Sequence, residues 1–169
     1  TADYLVLPQS EPIFSVRQKT MQEFGVKVLR KYRNIIIVGS LDKNNATADF
    51  LKNYLGKEKI EQTINQQSFF IQQENSWAKP QLVLCLFDST KEKLINNIQN
   101  NYSQLFEIIN KHEQQKISQA LFIEGENKEI QKVIIKQFSI EMIAPVDYQV
   151  SYQENNFLWL RKETEELSS

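Results

Sequence analysis

Asn34-Ile35-Ile36-Ile37-Val38-Gly39-Ser40-Leu41 decides the fold class of this chain of 169 residues. Its β-branched run is apolar on both faces of an extended backbone, the pattern of a central strand covered from both sides. Downstream, the turn at 42–45 leads to Phe50, Leu51, Tyr54 and Leu55, one helical stripe, with Gly56 as its stop. Ile60 and Ile64 predict a second short helix. Residues 69–73 and 82–87 read as strands, and the length of the connection between them favours an antiparallel hairpin.

Upstream, residues 1–12 read as an extended entry arm and 13–17 as a short strand. Thr20-Met21-Gln22-Glu23 has the spacing of a capping box, which predicts a helix ending near Tyr32. Beyond the hairpin, Ser89-Thr90-Lys91-Glu92 is a second such box. Leu94, Ile98, Tyr102, Leu105 and Ile109 then keep a single helical phase through Asn100-Asn101, predicting one long, bent helix to about Leu121. Gly125 ends that region, Ile130, Ile134 and Phe138 mark a further helix, and strands are expected at 140–143, 148–152 and 157–162.

From Asn34 onward the order is strand, helices, strand, strand, helices, strand. It predicts an α+β fold: a largely antiparallel sheet, helices mainly on one face, and a ferredoxin-like (split β-α-β) core with extra elements. With only 4 glycines and 4 prolines and no linker, residues 1–169 are expected to form a single domain. A chain of this length buries a core without help from metals or disulfides.

Composition narrows the function. A net charge of −1 gives no global footprint for nucleic acid, which is therefore not an expected partner. The basic cluster Lys27, Arg30, Lys31, Arg33 fits a helix C-terminus. No apolar run approaches the ~20 residues of a membrane span. One histidine and one cysteine do not make the usual zinc site, and no G-x-G-x-x-G or Walker loop is present. His112 lies beside the long helix's apolar stripe and reads as a packing residue, and Cys85, within Leu84-Cys85-Leu86, as a small buried hydrophobe. The acidic groups Glu124-Gly125-Glu126 and 163–166 read as solvated loop and terminus. No catalytic residue, cofactor site or metal site is expected.

Two aromatic segments carry the only candidate surface: Trp77, with Lys79, in the hairpin connection, and Phe157-Leu158-Trp159-Leu160-Arg161 near the C-terminus. Trp77 either folds back on the sheet or anchors a partner. In the second segment Phe157, Trp159 and Arg161 share one strand face, Leu158 and Leu160 the other. Both faces are apolar, which favours a strand inside the sheet over a binding surface. Trp77, Lys79, Trp159 and Arg161 are the possible binding residues.

The segments Tyr32-Arg33-Asn34-Ile35-Ile36-Ile37-Val38, Trp77-Ala78-Lys79-Pro80-Gln81-Leu82-Val83 and Asn156-Phe157-Leu158-Trp159-Leu160-Arg161-Lys162-Glu163-Thr164 resemble a family of uncharacterised Bacteroidota lipoproteins, a domain of unknown function numbered four-eight-three-seven. The resemblance runs through most of the chain in the same order. It implies the N-terminal portion of a longer exported protein, localised to the cell envelope and held to the membrane only by a lipid anchor absent from this chain. The function expected is a non-enzymatic envelope domain that binds a protein or envelope component. The alternatives are part of a hydrolase-type enzyme completed by a missing second half, or a structural subunit of an outer-membrane assembly.

Overall fold

Leu82–Asp88 is a strand in which every residue is buried, and the first part of the fold is built around it. The computed structural model describes residues 4–5, 11–25, 27–42 and 44–162, with backbone only at 4–5 and 11–12. Its strands are β1 (Tyr4–Leu5), β2 (Glu11–Pro12), β3 (Asn34–Ser40), β4 (Phe70–Glu74), β5 (Leu82–Asp88), β6 (Tyr148–Glu154) and β7 (Phe157–Lys162). Its α-helices are α1 (Met21–Phe24), α2 (Ala46–Leu55), α3 (Lys57–Asn65), α4 (Lys91–Asn100), α5 (Tyr102–Leu121) and α6 (Lys128–Phe138), with a 3-10 turn at Leu29–Lys31. The class is α+β. The chain forms two compact units, Thr1–Ile109 and Asn110–Ser169, whose boundary falls inside α5.

In the first unit β1 pairs antiparallel with β2, and a separate sheet has the order β3-β5-β4. β3 runs parallel to β5, aligning Ile37 with Cys85, and β4 runs antiparallel to β5, aligning Ile71 with the same Cys85. First strand beside third, second on the third's far side, is compatible with the expected split β-α-β core. Among the described residues no fourth strand joins this sheet, so β3 lies at an edge and not at the centre.

Helices lie on both sides of β5, where the sequence placed them mainly on one face of the sheet. Ile37, Ile71, Val83, Cys85 and Phe87 face Phe24 of α1, Leu51 and Leu55 of α2 and Ile60 of α3. Leu82, Leu84 and Leu86, the alternate side chains of β5, face Leu94 of α4 and Leu105 of α5. Helices therefore cover both faces of β5, because its residues are apolar at every position and not at every second one.

Local signals explain the helix ends. Thr20 N–H donates to Glu23 Oε2 at 2.8 Å while Glu23 N–H donates to Thr20 Oγ1 at 3.3 Å, the expected capping box. The helix lasts one turn and does not reach Tyr32 as predicted; Gly25, a weak helix former, is its C-cap. The second predicted box does not form: the cap is Thr90 and not Ser89, and the third helical residue is then Lys93, which has no acceptor to return. Thr90 caps α4 by accepting from Lys93 N–H at 3.3 Å, while Ser89 donates N–H and hydroxyl to Asp88 Oδ1 at 2.6 and 3.1 Å. Asn97 Nδ2 donates to the other Asp88 oxygen at 2.8 Å, so this buried carboxylate is fully engaged.

The predicted long helix is two helices, α4 and α5, parted at Asn101, whose Nδ2 donates to Asn97 O at 2.8 Å and competes with the helical ladder. Leu94, Ile98, Leu105 and Ile109 still reach one core across the break. The predicted strand at 13–17 is irregular, as is that at 140–143, where the exposed Ile140, Met142 and Ile143 have no strand partner and only Glu126 bridges to Pro145.

In the second unit α6 lays Ile130 and Ile134 against Ala144, with Tyr148, Leu158 and Leu160 packed alongside. Asn127 joins the two elements: its Oδ1 accepts from Ile130 N–H at 3.1 Å and its Nδ2 donates to Tyr148 O at 3.0 Å.

Candidate functional site

Trp77 belongs to the first unit and packs there. Its ring stacks on Tyr54 with centroids 5.0 Å apart and meets Phe24 edge-on at 5.3 Å. The Arg30 guanidinium lies 5.4 Å from the Phe24 centroid and 5.8 Å from that of Trp77, so the cation this cluster would attract is supplied by the chain itself. Fully buried Gln81 fixes the loop. Its Nε2 donates to Arg30 O at 2.7 Å and Tyr32 O at 2.8 Å, and its Oε1 accepts from Trp77 N–H at 2.9 Å. Tyr54 hydroxyl donates to Ser76 Oγ at 2.6 Å, and burial raises its pKa. Trp77 is half-buried, and Lys79 is exposed beside the cis Lys79–Pro80 bond.

Trp159 and Arg161 belong to the second unit and stand on β7, which pairs only with β6 among the described residues. The strand expected inside a sheet is thus one half of a two-stranded ribbon. Leu158 and Leu160 point to the α6 core, and Phe157 and Trp159 remain 53% and 54% exposed. The two-sided apolar pattern is real, but only one side meets a packing layer.

A bulge completes the exposed face. Val150 opposes Leu160, but after Ser151 the register shifts and Tyr152 opposes Trp159. An uninterrupted ladder would have set Tyr152 opposite Leu158, on the inward side; the extra residue turns it outward. Tyr152, 48% exposed, lies with its ring centroid 6.3 Å from that of Phe157 and donates its hydroxyl to the Glu154 carboxylate. Three half-exposed aromatic side chains, Tyr152, Phe157 and Trp159, thus share one side of the ribbon, with Arg161 on the same strand face. Tyr152 went unnoticed in the sequence because its facing depends on the bulge.

Nearby polar groups serve the scaffold. Lys162 Nζ sits 2.5 Å from Asp147 Oδ2, and this hydrogen bond raises the lysine's pKa. An open cavity of about 560 Å³ lies where α6 meets the hairpin turn, lined by Val133, Lys136, Gln137, Gln153, Glu154 and Asn155. Its amides bond one another: Gln153 Nε2 donates to Gln137 Oε1 at 2.6 Å, and Gln137 Nε2 donates to Asn155 O at 3.2 Å. The cavity is thereby a clamp on the turn. His112 and Cys85 are both buried, and burial pushes the Cys85 thiol up to about 12. Among the described residues no group of His, Cys, Asp and Glu is placed to hold a metal ion, and no helix is long and apolar enough to cross a membrane.

The chain is thus a mixed α+β protein whose C-terminal hairpin is packed on one face and half-exposed and aromatic on the other. The chain belongs to the family described as a domain of unknown function, DUF8532, whose model matches residues 1–122. This is a family of unknown function, as the resemblance implied, under a different number. The aromatic hairpin lies beyond the matched residues. No curated protein and no solved structure matches the chain.

Proposed function

We propose that this chain is a non-enzymatic binding domain of a lipid-anchored Bacteroidota envelope protein, and that the Tyr152–Phe157–Trp159 face receives a protein or envelope component. The observation that carries the reading is the half-exposure of three aromatic side chains on one face of a ribbon whose other face is packed. Exposed aromatics of this kind supply large contact area at low entropic cost. The side chains most used as nucleophile or general base, Cys85 and His112, are both buried, which favours binding over catalysis. The envelope assignment rests on the three resembling segments.

The test compares the full chain with a Phe157→Ala/Trp159→Ala double variant, each immobilised and exposed to solubilised envelope material. The proposal expects a component retained by the first and lost from the second, with the two circular dichroism spectra superimposable. Equal retention by both proteins, or by neither, contradicts it.

A further inference from the structure

The two units are not held equally. The first contains two clusters of buried apolar residues, nine in one and six in the other. The second, more than half as long, contains one cluster of three among the described residues, Ile130, Ile134 and Ala144. Tyr148, Leu158 and Leu160 pack there only partly buried, and Ile123 and Ile140 stay 83% and 55% exposed. Burial of apolar area is the main term favouring a folded state, so this unit has little to set against its chain entropy. Two polar atoms weaken it further: His112 Nδ1 and Asp147 Oδ1 are buried with no hydrogen-bond partner among the described residues.

Its ties are also short in range. Asn127, the cap of α6, reaches 21 residues along the chain to Tyr148 O, and Gln137 reaches 18 to Asn155 O. Both bonds begin and end within the stretch from α6 to the hairpin. In the first unit Gln81 spans 51 residues to Arg30 O, and β5 is paired with a strand on either side. Opening α6 and the hairpin breaks local bonds and leaves those of Gln81 and β5 made.

We propose that α6 and the β6–β7 hairpin open together as one cooperative segment while the first unit stays folded. The aromatic face then exists only in the closed form. A partner on that face would bind the closed form alone and hold the segment shut, a consequence that rests on the proposed function. The opening itself does not depend on any partner.

Native-state hydrogen exchange of the full chain is the test. Amides of 128–162 should be protected, but at least about a hundredfold less than those of β5. Ile134→Ala should lower protection across 128–162 by about thirtyfold or more and leave β5 unchanged. Gly39→Ala, placed in the first unit, should do the reverse. Equal protection in the two regions, or a loss in β5 with Ile134→Ala, would show a single cooperative fold and overturn the proposal. Absence of any protection in the hairpin would also overturn it, since the segment would then never close. No partner is present in this experiment, so its failure leaves the binding reading standing.

Discussion

Gly39 lies where α2 crosses β3 at close range. A Cβ built there would stand 2.8 Å from Thr47 Cγ2 and 3.0 Å from Leu51 Cδ1, and Leu51 is fully buried with no space to retreat. Gly39→Ala should therefore destabilise the protein by about 1–3 kcal/mol, the usual cost of overpacking, measured by urea unfolding. Cys85 makes a second prediction at this scale. With its thiol pushed up to about 12 by burial, it should react with a disulfide reagent only as fast as the protein opens, and at once in denaturant. A native-state burst of labelling would contradict its placement. The sequence showed Cys85's neighbourhood plainly, because every residue around it is apolar. It did not show Tyr152's facing, which one unpaired residue reverses.

At the scale of the element, α1 depends on a cap that titrates. Hydrogen bonds from the Lys19 side chain, then from Thr20 backbone and hydroxyl, hold Glu23 down to about 2 from an ordinary 4.5. A depressed carboxylate stabilises the folded form above its unfolded pKa and loses that contribution as pH falls through the folded one. The α1 cap should therefore persist at pH 5 and be lost between about pH 4.5 and 2, followed by the Thr20 amide resonance; a midpoint at or above 4.5 would refute the capping box. In the hairpin, the two faces of the packing predict unequal mutational costs. Ile134→Ala empties a buried site in α6 and should cost about 2–5 kcal/mol. Trp159→Ala removes a half-exposed ring opposite Tyr152 and should cost no more than about 1 kcal/mol. Caps and helical stripes were legible because both are local. The strand expected at 140–143 failed for the opposite reason: β-branched residues make a strand only beside a partner, and these have none.

At the scale of the whole molecule, the elements follow the sequence more faithfully than their arrangement does. The run Ile35-Ile36-Ile37-Val38 does form a strand, but a two-sided apolar pattern states what a strand needs and not what it meets. Among the described residues β3 stands at an edge, with Ile36 and Val38 half-exposed, and β7 stands in a ribbon with Phe157 and Trp159 outward. The boundary between the two units was invisible because it falls within α5, where no glycine or proline marks it. Both departures leave apolar side chains half-exposed. The central claim is that the hairpin's aromatic face is presented to solvent, and the chain's two tryptophans make it measurable. In a Trp77→Phe protein Trp159 is the sole tryptophan, and its fluorescence should resemble that of a water-exposed indole and be quenched readily by acrylamide. A blue-shifted emission resistant to quenching in the isolated folded protein would show the ring buried and contradict the account.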